Sequence, residues 1–115
     1  MDITVTRAPQ AHVLHISGRW DFFSAANFEE ICDELLRAED MRDVVLDLAA
    51  VPYLSSFGLR AILELAKRLE PLSGNLRVAD MQPAVAKVFI GSGFHRLFRH
   101  FPDVPSALAA LGRKT

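Results

Sequence analysis

The order of strands and helices is clearest in residues 44–63, which carry the sequence V-V-L-D-L-A-A-V-P-Y-L-S-S-F-G-L-R-A-I-L. The first five residues are apolar apart from Asp47, which is typical of a strand buried on both faces of a parallel sheet. A turn at Pro52 follows, and beyond Gly58 the apolar side chains recur with helical spacing. The segment therefore predicts a buried strand, a short loop that contains two serines, and an amphipathic helix that ends before Pro71.

The flanking sequence continues the alternation of strand and helix. Residues 3–7 and 13–16 alternate apolar and polar positions and predict an opening hairpin, and Ser24 is a suitable cap for the helix that follows. The remaining predicted elements are a strand at 76–79, a helix that begins at Pro83 and directs Val85, Val88 and Phe89 inward, a strand at 97–101, and a last helix capped by Asp103. The predicted order is ββαβαβαβα.

This order predicts an α/β fold. Repeated strand–helix–strand units are joined by right-handed crossovers, which produce a mostly parallel or mixed sheet of five strands with four helices packed against it. The chain has 115 residues, enough for one compact core, so we expect residues 1–115 to form a single domain. Sites on such sheets gather at the loops after the carboxyl ends of the strands. The loop with the two serines is one of these.

Composition argues against several classes of function. The formal net charge is −1 and no run of like charges stands out, so direct binding to nucleic acid is not expected. No apolar run approaches the roughly 20 residues of a membrane helix, and the first residues lack the layout of a signal peptide, so we expect a cytoplasmic protein without membrane contact. The four histidines lack metal-ligand spacing, and Cys32 falls on the apolar stripe of a predicted helix. No cofactor is expected.

The two serines before the second helix are the candidate functional residues. Ser56 lies at or just before the predicted helix start, where unpaired backbone N–H groups and the helix dipole favour an anion. A phosphate on Ser56 would be tolerated there, and Gly58 leaves room beside it. Taken alone, a Ser-Ser pair before a glycine and a helix also describes an ordinary capped helix start.

The wider sequence resembles a known family. Y-L-S-S-F-G-L-R at residues 53–60, followed by an amphipathic helix, resembles the signature of STAS domains in the bacterial anti-sigma factor antagonist family. S-G-R-W-D at 17–21 is similar to the family's Ser-Gly-x-x-Asp strand end, and L-D-L at 46–48 is similar to its central strand. Residues 85–111 resemble its third helix, last strand and final helix. The resemblance covers nearly the whole chain and implies the STAS fold.

The resemblance also implies a cycle of partner switching. In this family an anti-sigma factor that is itself a serine kinase binds the unphosphorylated antagonist and releases its sigma factor. Phosphorylation breaks that complex, and a serine phosphatase restores it. Counting back from Gly58, the phosphorylated serine corresponds to Ser56. The residues implied in partner binding are Asp21, Phe22, Ser55, Ser56, Phe57, Gly58 and Arg60.

Several residues near this site have two interpretations. Ser55 stands where the family often has aspartate, and its hydroxyl is a competing acceptor. Phe57 stands where the family often has a small residue and points either into the core or toward a partner. Trp20, Phe22 and Phe23 fill the core or share in a partner surface. Asp21 and Asp47 resemble family positions near the serine, but they also fit structural roles in a turn and at a strand end.

Two other functions compete with the one that the resemblance implies. A hydrolase with Ser56 as nucleophile is not expected, because S-S-F-G lacks the leading glycine of a nucleophile elbow and no acid and base partners stand out. We therefore expect no enzymatic activity. The alternative is a STAS subunit that docks on a transporter ATPase or a sensory complex, because a fold alone does not fix a function.

Overall fold

The computed structural model describes residues 1–112, which form a five-stranded sheet and four α-helices. The strands are β1 (Asp2–Arg7), β2 (His12–Ser17), β3 (Val44–Ala50), β4 (Leu76–Ala79) and β5 (Arg99–Phe101). The helices are α1 (Phe22–Ala38), α2 (Ser56–Leu69), α3 (Pro83–Gly91) and α4 (Val104–Gly112). This is the predicted order, and the α/β fold class is confirmed.

The sheet is mixed, and its strands lie in sequence order from β1 to β5. β1 and β2 form the predicted antiparallel hairpin, whereas β2, β3, β4 and β5 run parallel to one another. The loops that follow β2 and β3 therefore leave the same edge of the sheet. An isolated parallel bridge between Trp20 and Leu54 continues the pairing of β2 and β3 into these loops. We call this edge the carboxyl edge.

Helices cover both faces of the sheet. Successive right-handed crossovers between neighbouring strands place α1, α2 and α3 on one face, and α4 covers part of the other. Apolar side chains of β3 alternate between the two faces, which explains why nearly the whole strand is apolar. The larger core includes Leu14, Leu46, Phe28, Cys32, Ile62 and Phe89, and the smaller core includes Val13, Val45, Ala79, Ala107 and Leu111.

The start of α1 differs from the sequence prediction. The helix begins at Phe22 and is capped by Asp21, whose Oδ1 accepts the backbone N–H groups of Phe23 and Ser24, each at 3.1 Å. Ser24 is buried, and its hydroxyl donates to the Arg19 carbonyl at 2.7 Å. The prediction that Ser24 caps this helix is wrong, because Asp21 occupies the N-cap position and Ser24 lies in the first turn of the helix.

The region before β5 also differs. Phe94–Arg96 forms a 3₁₀ turn, Leu97 is 63% exposed, and only Arg99–Phe101 pairs with β4. Val88 is exposed as well, because α3 directs Val85 and Phe89 to the core and Val88 lies at the flank of that buried face. The predicted cap of α4 is confirmed, since Asp103 Oδ1 accepts the N–H of Ser106 at 2.8 Å. Within residues 1–112, no helix combines the length and apolar character needed to cross a membrane.

Candidate functional site

Backbone hydrogen bonds join the two loops at the carboxyl edge. The Trp20 N–H donates to the Tyr53 carbonyl at 2.9 Å, and the Ser55 N–H donates to the Trp20 carbonyl at 3.0 Å. The Arg19 guanidinium also lies 4.2 Å from the centre of the Tyr53 ring, a contact that no sequence pattern indicated. These bonds fix the loop before α1 against the loop before α2, so the two helices begin side by side.

The two serines have different environments. Ser55 is half-buried and is the N-cap of α2. Its hydroxyl donates to the Trp20 carbonyl at 2.8 Å and accepts the Gly58 N–H at 3.4 Å. Ser56 is the first residue of α2 and is exposed, and its hydroxyl makes no hydrogen bond with the described part of the chain. The Ser55 hydroxyl is therefore occupied in the turn, whereas the Ser56 hydroxyl faces solvent.

Gly58 permits the close packing of this turn on the core. A Cβ at this position would lie 2.5 Å from Leu54 Cδ1 and 2.9 Å from Trp20 Cγ, both closer than atoms of this kind approach in folded proteins. Trp20 is fully buried, and its ring centre lies 4.7 Å from that of Phe28 in α1. The glycine is therefore required by its neighbours rather than by its backbone angles.

Replacing Gly58 by alanine is expected to lower the free energy of unfolding by about 1 to 2 kcal/mol, because the added methyl group must displace Leu54 or the Trp20 ring. Urea unfolding followed by the fluorescence of Trp20, the only tryptophan, measures this directly. Gly91→Ala is the matched control, since nothing lies within 4 Å of a Cβ there. Equal stability of the Gly58→Ala variant and the wild type would show that the turn has room for a side chain.

Three exposed aromatic side chains surround the start of the two helices. Phe22 is 59% exposed, Phe57 is 45% exposed, and their ring centres lie 5.0 Å apart in an edge-to-face arrangement. Phe23 is 82% exposed and lies 5.5 Å from Phe22. We call Phe22, Phe23 and Phe57 the aromatic cluster. A groove beside it is lined by Ala25, Ala26, Glu29, Arg60 and Ala61.

The aromatic residues in question thus separate into two groups. Trp20 belongs to the core, whereas Phe22, Phe23 and Phe57 are directed to solvent. Exposed apolar side chains that are contiguous, unlike scattered ones, mark interaction surfaces in soluble proteins. No sequence pattern separated Trp20 from Phe22 and Phe23, because all three lie within four residues at the predicted start of the same helix.

The two acids near the serines have structural partners. Backbone N–H hydrogen bonds from Ser24 and, to a smaller extent, from Phe23 lower the pKa of Asp21 below its usual range. Asp47 Oδ2 lies 2.7 Å from His15 Nδ1, and its Oδ1 accepts the Ala49 N–H at 3.1 Å. Because the neighbours of Asp47 in β3 face α1 and α2, its side chain leaves the opposite face of the sheet. The structure does not bring Asp47 to the serines.

An exposed apolar surface at the carboxyl edge of an α/β sheet, next to a free serine hydroxyl, is a candidate protein-interaction site. Residues 2–107 match the family model of the STAS domain. The chain therefore belongs to the STAS domain family, as the sequence resemblance implied, and its mixed sheet and four helices form the STAS fold.

Several relatives within this family resemble the chain. It is 42% identical over 77 residues to BtrV of Bordetella bronchiseptica, which is named as a candidate anti-sigma factor antagonist. That alignment covers 65% of this chain and 66% of BtrV, so the chain spans just under two thirds of this relative. An anti-sigma factor antagonist from Mycobacterium paratuberculosis has a crystal structure with a TM-score of 0.85 and 25% identity, over 96% of this chain and 92% of the other.

The anti-sigma factor antagonist SpoIIAA has been solved in two states. Its unphosphorylated form matches with a TM-score of 0.74 at 12% identity, over 99% of this chain and all of SpoIIAA. The phosphorylated form, from Bacillus, matches with a TM-score of 0.72 at 14% identity, over 96% and 99% of the two chains. At this level of identity the likeness concerns the fold.

Proposed function

We propose that this chain is an anti-sigma factor antagonist that acts by partner switching. Its unphosphorylated form binds an anti-sigma factor that is an ATP-dependent serine kinase, and the sigma factor is released. Phosphorylation of Ser56 blocks this binding, and a serine phosphatase reverses it. The observation that carries the proposal is the exposed, unbonded hydroxyl of Ser56 at the first residue of α2, beside the aromatic cluster. The names of BtrV and of the Mycobacterium paratuberculosis protein support the same function.

The environments of the two serines favour Ser56 over Ser55 as acceptor. A kinase that modified Ser55 would have to remove its hydroxyl from the Trp20 carbonyl and from the Gly58 N–H. Each of these hydrogen bonds contributes about 1 kcal/mol, and the helix would also lose its cap. Modification of Ser56 breaks no such bond. A phosphate on the first residue of α2 also lies at the positive end of the helix dipole.

The same position explains how a phosphate would prevent docking. A partner that covers Phe22 and Phe57 must remove water from the surface between them and Ser56. A phosphoserine carries a charge of about −1.5 to −2, which would be desolvated in such an interface. One neighbouring cation would neutralise only part of this charge. Removing the remainder from water is costly, so the complex would dissociate without any change in the fold.

The seven residues assigned to partner binding divide into two roles in this proposal. Phe22, Ser56, Phe57 and Arg60 are exposed and would contact the partner. Asp21 and Ser55 are half-buried helix caps and Gly58 is buried, so these three shape the surface from beneath. We further propose a cytoplasmic, non-enzymatic role with no direct contact to nucleic acid or membrane.

Displacement of a sigma factor tests the function directly. The unphosphorylated chain is added to a complex of fluorescently labelled sigma factor and kinase-type anti-sigma factor from the same organism, and anisotropy reports the release of sigma. We expect release without ATP, loss of release after incubation with ATP, and persistent release by Ser56→Ala in the presence of ATP. Failure to displace any sigma factor, together with stable binding to a transporter ATPase, would favour the alternative function.

A further inference from the structure

Arg60 is the cation of α2 that lacks an acidic partner. The two basic residues that follow Arg60 in this helix each form an ion pair. Lys67 Nζ lies 3.6 Å from Glu64 Oε1, and Arg68 contacts Asp33 of α1. α2 lies wholly within the described residues, and no described carboxylate forms an ion pair with the exposed Arg60. Its guanidinium group is therefore available to an anion.

Helix geometry places Arg60 next to Ser56. Residues four apart in a helix lie on one face with their Cβ atoms about 5 to 6 Å apart. Helical side chains also lean toward the N-terminus, so the long side chain of Arg60 extends toward the first turn of α2. Arg60 shares its groove with Phe57 and Phe22, on the side of the helix where the aromatic cluster lies.

We propose that Arg60 is the internal counter-ion of phosphorylated Ser56. This inference rests on the proposed function only in placing the phosphate on Ser56. A guanidinium group matches phosphate oxygens with two parallel N–H donors, which makes arginine a stronger phosphate partner than lysine. An anion at one position and a cation four residues later is also the favourable order along a helix.

The counter-ion gives one modification two effects on the docking surface. In the unphosphorylated protein, Arg60 stands free at the edge of the aromatic cluster and can meet an acidic group of the partner. Once Ser56 is phosphorylated, the guanidinium group is held by the phosphate and is withdrawn from that role. The surface thus loses an accessible cation at the same time as it gains about −1.5 to −2 charges.

Titration of the phosphate tests the contact without any kinase. Phosphoserine is incorporated at position 56 during translation, and ³¹P NMR follows the second ionisation of the phosphate, whose pKa is ordinarily about 6. We expect this pKa to be lower in the wild type than in Arg60→Gln by about 0.15 to 0.7, the range that corresponds to an exposed ion pair. High salt should narrow the difference.

Lys67→Gln is the matched control, because it removes a cation of the same helix about 16 Å farther along than Ser56, beyond the screening length. This variant should titrate as the wild type does. An identical phosphate pKa in Arg60→Gln and the wild type, with both folded by circular dichroism, would overturn the proposal.

The phosphate titration and the sigma-displacement assay test the counter-ion and the proposed function separately. If the phosphate pKa were the same in Arg60→Gln and the wild type while sigma was displaced normally, the counter-ion would be rejected and the proposed function would stand. A shifted phosphate pKa without any displacement of sigma would support the contact and reject the function.

Discussion

The Ser56→Asp variant is expected to bind the anti-sigma factor about 100-fold more weakly than the wild type, a loss of about 2.7 kcal/mol. Ser56→Ala should keep the wild-type affinity within a few-fold, because the Ser56 hydroxyl has no hydrogen bond to lose within the described structure. The difference arises from the charge, which the partner would have to desolvate against Phe57. Isothermal titration calorimetry against the purified partner measures both affinities.

A charge elsewhere on the surface is the control for this variant. Gln10→Glu adds a carboxylate to the exposed turn between β1 and β2, at the edge of the sheet opposite the serines. It should bind the partner as the wild type does. The melting temperatures of both charged variants should stay within a few degrees of the wild type. Such a result would exclude local unfolding as the cause of the weaker binding. Equal affinity of Ser56→Asp and Ser56→Ala would mean that Ser56 serves only as a helix start.

Removal of either ring of the Phe22–Phe57 pair is expected to weaken partner binding about 30-fold, or about 2 kcal/mol, as is typical of aromatic anchors at interfaces. The two rings touch, so Phe22→Ala and Phe57→Ala should be non-additive when combined. Both side chains are about half exposed, so the free energy of unfolding should change by about 1 kcal/mol, less than the change in binding free energy. Calorimetry and urea unfolding separate these effects.

Leu97→Ala provides the matched control for the aromatic variants. Leu97 is the most exposed large aliphatic residue of the described chain, and it precedes β5 at the far edge of the sheet. Its truncation should leave the affinity for the partner unchanged. If Leu97→Ala weakened binding as much as Phe57→Ala, the partner would dock at a different surface from the one proposed.

The central segment was predictable because its pattern depends on burial alone. β3 is a short, nearly continuous apolar run, and α2 has apolar residues at helical spacing. The alternation of strands and helices along the chain was then sufficient to predict the α/β class. The start of α1 was not predictable in this way, because Asp21 and Ser24 are both good N-caps. Only packing directs the Ser24 hydroxyl to the Arg19 carbonyl. The beginning of β5 was misplaced because Leu97 has the composition of a strand residue but lies outside the pairing with β4.

The details of the site depend on contacts between distant residues. The role of Ser55 follows from its bond to the carbonyl of Trp20, which lies 35 residues earlier in the chain. The direction of Phe57 follows from its contact with Phe22 of α1. Neither contact leaves a signal in the local sequence, so the different environments of Ser55 and Phe57 were not predictable from the sequence.

The most direct test of the account is the location of the phosphate after incubation with the kinase-type anti-sigma factor and ATP. Trypsin cleaves after Arg42 and Arg60, so residues 43–60 form one peptide that contains both serines and Tyr53. Fragment ions that separate position 55 from position 56 identify the modified hydroxyl by mass spectrometry. The account predicts phosphate on Ser56. Phosphate mainly on Ser55, or on none of residues 53–60, would contradict it.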